Sequence, residues 1–149
     1  MKPLVGIIMG SESDRETMSR TEDVLNDLAI PCEVSVMSAH RNPELVKKYA
    51  QNASDRGIRV IIAGAGLAAH LAGAVAASTL LPVIGVPIES GPLRGFDALL
   101  STVMMPKGVP VATVAIGSHG ARNAAYLAAQ IIALSDGKVL AALKEARGW

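Results

Sequence analysis

Residues 60–88 read VIIAGAGLAAHLAGAVAASTLLPVIGVPI, a run without a single Asp, Glu, Lys or Arg. A membrane-spanning helix needs about 20 predominantly apolar residues, so length alone would permit one. The interior of the run argues against it. Gly64, Gly66, Gly73 and Gly85, with Pro82 and Pro87, would interrupt a continuous helix, and His70 would put a polar ring inside it. The run reads instead as strand, turn, small-residue helix, turn, strand, all buried. Its strands are near-continuous apolar stretches, as in parallel sheets covered on both faces.

Outward from this unit the same alternation fills the chain. Strands are predicted at 4–9, 33–37, 59–63, 82–86 and 111–115. Helices are predicted between them at 14–28, 43–56, 68–79 and 95–104, and after them at 122–134 and 138–147. Such an order specifies an α/β fold: one doubly wound, flavodoxin-like or Rossmann-like three-layer sandwich with a parallel sheet of about five strands. No internal repeat, linker or low-complexity segment divides the 149 residues, which suit one domain.

Composition narrows the function. Half the residues are hydrophobic and only 3% aromatic, so the core is built from Val, Ile, Leu and Ala and its layers lie close. A net charge of +1 argues against a general nucleic-acid binder. The lone Cys32 forms no internal disulfide, which points to a reducing compartment such as the cytoplasm. The opening MKPLVGIIMG turns polar at Ser11 after a short apolar run, too short for a signal peptide, and reads as a first strand. So much apolar surface on a small chain predicts a homo-oligomer.

In doubly wound folds ligands bind beyond the carboxyl ends of the strands, so the chemistry is expected at 10–14, 38–41, 64–70, 88–95 and 117–120. GSESD (10–14) opens the first helix. Ser13 and Glu16 have capping-box spacing, while Ser11 and Ser13 at a helix start suit an anion and Asp14 suits ribose hydroxyls. In SAHRNP (38–43), Asn42 is a candidate N-cap and Pro43 a first helical residue, which leaves Ser38, His40 and Arg41 on the preceding turn. A histidine exchanges protons near neutrality and an arginine holds phosphate through paired hydrogen bonds. In GAGLAAHLAG (64–73), Gly64 and Gly66 allow close backbone approach, and His70 falls in the next helix's first turn, either facing the rim or buried against backbone.

Other chemistries find little support. The three histidines, His40, His70 and His119, lack helical pairing and nearby Cys or carboxylate partners, so no metal is expected. There is no GxSxG elbow, no GxGxxG and no Walker lysine. A flavin-binding module of the same architecture has few rings to offer, only Phe96 lying next to a rim segment.

Taken together, GIIMGSESD, SAHRNPE, IIAGAGLAAHLAG, PVIGVP, GFDALLSTVMMPKGVPVATVAIG and NAAYLAAQI resemble the PurE family, 5-(carboxyamino)imidazole ribonucleotide mutase, over almost the full length. SAHR and the GAG…AAHL block resemble the mutase branch rather than the branch that carboxylates aminoimidazole ribonucleotide directly. The resemblance implies a cofactor-free enzyme of purine biosynthesis acting on an aminoimidazole ribonucleotide, with no nucleic-acid or membrane partner. It implies His40 as general acid/base and Ser11, Asp14 and Arg41 as nucleotide ligands, with Ser13, Ser38, Gly66 and His70 completing the pocket. It also implies a homo-octamer whose C-terminal helices reach neighbouring subunits. The chain departs from the family's usual pattern at Leu67, where a third glycine is common, at Ala72 and Met104, and in the loop 88–95.

Overall fold

The structure, a computed structural model, describes residues 1–149. Strands β1 (Val5–Met9), β2 (Cys32–Val36), β3 (Val60–Gly66), β4 (Val83–Ile88) and β5 (Ala112–Thr113) form one all-parallel sheet in the order β2-β1-β3-β4-β5. Helices α1 (Arg15–Asp27), α2 (Pro43–Asn52), α3 (Leu71–Ala76), α4 (Phe96–Val103), α5 (Ser118–Ala133) and α6 (Gly137–Arg147) cover it. This is the doubly wound, flavodoxin-like arrangement that the alternating pattern predicts. Residues 60–88 fold as β3-α3-β4, and no helix is long and apolar enough to cross a membrane.

Side-chain alternation along the strands divides the core. Val5, Ile7, Met9, Ile62, Ile84 and Val86 point to one face, against α1 and α5, with Val139 and Leu143 of α6 completing that layer. Ile8, Ile61, Ala63 and Val83 point to the other, against Val46 and Ala50 of α2 and Leu71 and Val75 of α3. Small residues set how close the layers come. On α5, Ala121, Ala124, Ala125, Ala128 and Ala129 are fully buried, and Thr21 of α1 donates its hydroxyl proton to the Ala121 carbonyl at 2.8 Å. A Cβ on Gly64 would run into the Met18 thioether, so α1 packs close to β3 there and a larger residue would have to displace the Met18 side chain. On the opposite face a Cβ on Gly6 would meet the Tyr49 hydroxyl at 2.3 Å. That hydroxyl donates to Glu33 Oε1 at 2.8 Å, and Arg56 Nη1 pairs with the same oxygen at 2.5 Å, which ties α2 and the turn after it to β2.

Several boundaries differ from those predicted. Helix α3 begins at Leu71 rather than at residue 68: residues 68–70 form a tight turn in which the His70 N–H donates to the Ala68 carbonyl at 2.9 Å. His70 is therefore its N-cap and not a first-turn residue. Helix α5 begins at Ser118, so His119 lies inside a helix rather than in a rim loop. The Ser13–Glu16 capping box does not form. A 3₁₀ turn, Glu12–Asp14, runs directly into α1, Asp14 takes the N-cap position, and Ser11 Oγ accepts from the Ser13 N–H at 3.3 Å. Asn42 holds the N-cap position of α2 without a side-chain bond, while Ser38 Oγ accepts from the Arg41 N–H at 3.2 Å.

Candidate active site

Strand order reverses between β1 and β3: the chain leaves β1 through α1 to reach β2 on one side, then crosses back through α2 to β3. Loops diverge at such a switch point and leave a crevice. Here it is a cleft of about 270 Å³ at the carboxyl edge of the sheet. Ser11, Ser13, Asp14, Ser38, His40, Arg41, Gly66 and His70, the eight residues singled out in the sequence, all line it. The segment 117–120 does not, because β5 is the far edge of the sheet.

The turn after β2 and the turn before α3 meet across the cleft. His40 Nε2 and His70 Nδ1 are 2.6 Å apart, with the rings edge to face at an interplanar angle of 86°. Of two imidazole nitrogens at that distance one donates and the other accepts, so the tautomer of each ring depends on the other. Both residues are exposed, so His70 is not a core histidine bonded to backbone. Arg41 is also exposed and takes part in none of the three ion pairs, Arg15–Glu12, Arg20–Asp23 and Arg56–Glu33. Its guanidinium is free for an anionic ligand.

At the start of α1, the Ser13 hydroxyl donates to Ser11 Oγ at 3.0 Å. Asp14 is only 7% exposed. Burial pushes its carboxyl above the usual carboxylate range, and a backbone hydrogen bond at Ser11 pulls part of the way back. A buried acceptor-only group beside hydroxyls suits hydroxyl donors from a ligand, which would return the hydrogen bonds that water supplied.

Sequence reasoning placed the segment 88–95 on the rim without singling out Ser90. Ser90, two residues beyond β4, lines the cleft because Gly66 pairs in register with Ile88; a Cβ on Gly66 would approach the Ile88 carbonyl and Ser90 Cβ at 3.2 Å each. The Gly66 signal was legible, but its partner depended on register. Ala65, Ala68, Leu67 and Leu71 supply an apolar side. Leu67 keeps a left-handed backbone that costs a residue with a Cβ about 1–2 kcal/mol, and it is half exposed at the mouth. The turn that carries it is anchored by Ser101 of α4, whose Oγ accepts from the Ala69 N–H at 3.0 Å and donates to the Asp97 carbonyl at 2.7 Å. No three His, Cys, Asp or Glu side chains converge on a metal site.

A switch-point cleft with two linked imidazoles beside an unpaired guanidinium is the build of an α/β enzyme that moves protons on a small anionic substrate. More narrowly, the chain belongs to the AIR carboxylase family, whose model matches residues 4–148. It is 58% identical over 147 residues to the N5-carboxyaminoimidazole ribonucleotide mutase of Bacillus subtilis, covering 99% of this chain and 91% of that one. The mutase of Pseudomonas aeruginosa is 57% identical, with 99% and 90% covered. Among solved structures, Treponema denticola PurE superposes with a TM-score of 0.87 at 30% identity, covering 98% of this chain and 90% of that one.

Proposed function

We propose that this chain converts N5-carboxyaminoimidazole ribonucleotide into 4-carboxy-5-aminoimidazole ribonucleotide in purine biosynthesis, in the cytoplasm and without a cofactor; its similarity to proteins named N5-carboxyaminoimidazole ribonucleotide mutase supports the reaction. The observation that carries the reading is the His40–His70 contact at 2.6 Å in the same cleft as Arg41 and the serines. Arg41, Ser11 and Ser13 receive the phosphate, Asp14 accepts from the ribose hydroxyls, and Ser38, Gly66 and His70 shape the base pocket. His40 gives a proton to the exocyclic nitrogen as its bond to the carboxylate carbon breaks, which releases carbon dioxide and leaves the amine. The ring carbon attacks that carbon dioxide. His40 then takes the proton from the same carbon, restoring aromaticity and its own starting state. The reaction is a net isomerisation: one proton given, one returned. Acid–base help of this kind contributes about 10²–10⁴-fold, and confinement of the two fragments adds an effective-concentration term.

The exposed surface supports self-assembly. Phe96, Leu100 and Val103 recur along one face of α4, with Met104 just beyond its end, and all four are exposed apolar side chains. We take this stripe as a contact between copies of the chain in a homo-oligomer, an octamer on the resemblance, with Trp149 and Leu134 near the C-terminal helices as further contact residues.

A direct carboxylase is the second reading, since the family description is AIR carboxylase. Carbon-13 bicarbonate separates the two. Unlabelled carbamate substrate should give unlabelled early product for a mutase, whereas labelled product, formed equally from aminoimidazole ribonucleotide, would establish the carboxylase.

A further inference from the structure

The His70 ring belongs to an exposed residue, so packing does not clamp it, and its hydrogen-bond partner in the protein is His40 Nε2 at 2.6 Å. It makes no capping bond to α3. Where the ring stands is therefore decided by the backbone of the turn 68–70, in which the His70 N–H donates to the Ala68 carbonyl at 2.9 Å. The residue between them, Ala69, is only 2% exposed, and its N–H finds an acceptor on another helix: Ser101 Oγ of α4, at 3.0 Å. The serine is itself held. Its hydroxyl proton goes to the Asp97 carbonyl, one helical turn back, at 2.7 Å. A mid-helix serine that bonds back in this way slightly weakens its own helix. Here the same bond fixes the side-chain rotamer and turns an oxygen lone pair toward Ala69. A chain of contacts thus runs from α4 through the turn to the paired rings.

We propose that Ser101 is a positioning residue, holding the turn 68–70 so that His70 meets His40 across the cleft; its bearing on turnover rests on the reaction proposed above, in which His40 gives and takes the proton. Ser101 is not part of the cleft wall, so it acts through His70 and not on the substrate. Without its oxygen the Ala69 N–H has no acceptor, and the turn has to shift to recover one. His70 shifts with it, because the ring is carried by the next residue. A misplacement of about 1 Å is enough to separate the rings, and errors of that size in a catalytic arrangement cost up to about 10²-fold in rate.

The test compares the full-length wild type with Ser101→Ala, Ser101→Thr, His70→Asn and the combination of Ser101→Ala with His70→Asn. Imidazole nitrogen-15 NMR spectra of the free protein read the ring contact without any turnover. The signals of both rings should move in Ser101→Ala and keep their wild-type positions in Ser101→Thr, which retains the oxygen. In the mutase assay Ser101→Ala should lower kcat about tenfold with KM nearly unchanged. In the His70→Asn background the same change should lower kcat no further, since the ring it positions is gone. Unmoved imidazole signals in Ser101→Ala would overturn the positioning. So would a loss of kcat that adds in full to that of His70→Asn, the mark of a general loosening of the fold. Moved signals with turnover intact would uphold the positioning and overturn instead the acid–base roles proposed for the two rings.

Discussion

His40 Nε2 lies 2.6 Å from His70 Nδ1, although the two residues belong to turns that follow different strands and are thirty positions apart. The contact makes the two rings one proton-carrying unit. Replacing His40 by Asn should abolish turnover, a loss of at least about 10²-fold, while nucleotide still binds in equilibrium dialysis. His70→Asn should lower kcat less, since the remaining ring loses the partner that sets its tautomer. An unaltered kcat in His70→Asn would show that His40 acts without that partner.

Arg41 has no carboxylate partner, so its removal leaves nothing unsatisfied inside the protein. Arg41→Ala should weaken the phosphorylated ligand by about 1.5–3 kcal/mol, the scale of a hydrogen bond to a charged group. The free nucleoside should bind almost as before. Calorimetric titration of both ligands reads the difference, and equal weakening would remove Arg41 from the phosphate.

Asp14 carries a stability cost with a defined sign. Its folded pKa is raised by burial, so the folded state binds the proton more tightly than the unfolded chain does. Asp14 is therefore most compatible with the fold when protonated, and that advantage disappears as pH rises through the ordinary carboxylate range to its raised value. Asp14→Asn should raise the thermal midpoint at neutral pH, and the gain should vanish below about pH 4, where the unfolded carboxyl is itself protonated. The variant should lose nucleotide affinity. Melting curves across pH decide the matter, and a gain that persists in acid would trace to something other than charge.

Glu33 receives two donors, the Tyr49 hydroxyl and Arg56 Nη1, and the Arg56 guanidinium lies 4.6 Å from the Tyr49 ring centre. Burial and the Glu33 charge both raise the Tyr49 phenol well above its usual pKa, so it remains a donor throughout the working range. Glu33→Ala should destabilise the fold by about 1–3 kcal/mol, because two half-buried donors lose their acceptor. Activity at low temperature should be unaffected, since none of these residues lines the cleft. Denaturant titration beside a turnover assay reads both.

The α4 stripe gives a prediction about assembly. Leu100→Asp puts a charge at the centre of the exposed apolar face and should shift the protein to smaller species in light scattering, with the monomer fold retained by circular dichroism. An unchanged mass would locate the interface elsewhere.

Local pattern made the layers legible: unbroken apolar strands, Pro43 at a helix start, and the breakers of residues 60–88 all act over a few positions. The rim was legible for the same reason, because strand ends place their following residues on one edge. What escaped depends on contacts distant in sequence. Ser13 has capping-box spacing, yet its N–H is taken by Ser11, because the 3₁₀ turn runs straight into α1. Ser90 enters the cleft through the β3–β4 register, which no window of sequence contains. The helix predicted from residue 68 starts only at Leu71, since the Ala69 N–H is bound by Ser101 of another helix and residues 68–70 stay in a turn.

The sheet tapers to a two-residue strand, β5, at one edge. A long open edge would offer a row of unpaired amides and carbonyls on which another chain could add strands without limit. Two residues template almost nothing. Growth by strand addition is blunted on that side, and the longer edge strand, β2, lies at the other end of the sheet. A chain rich in exposed leucine thereby offers a growing fibre no template along its β5 edge.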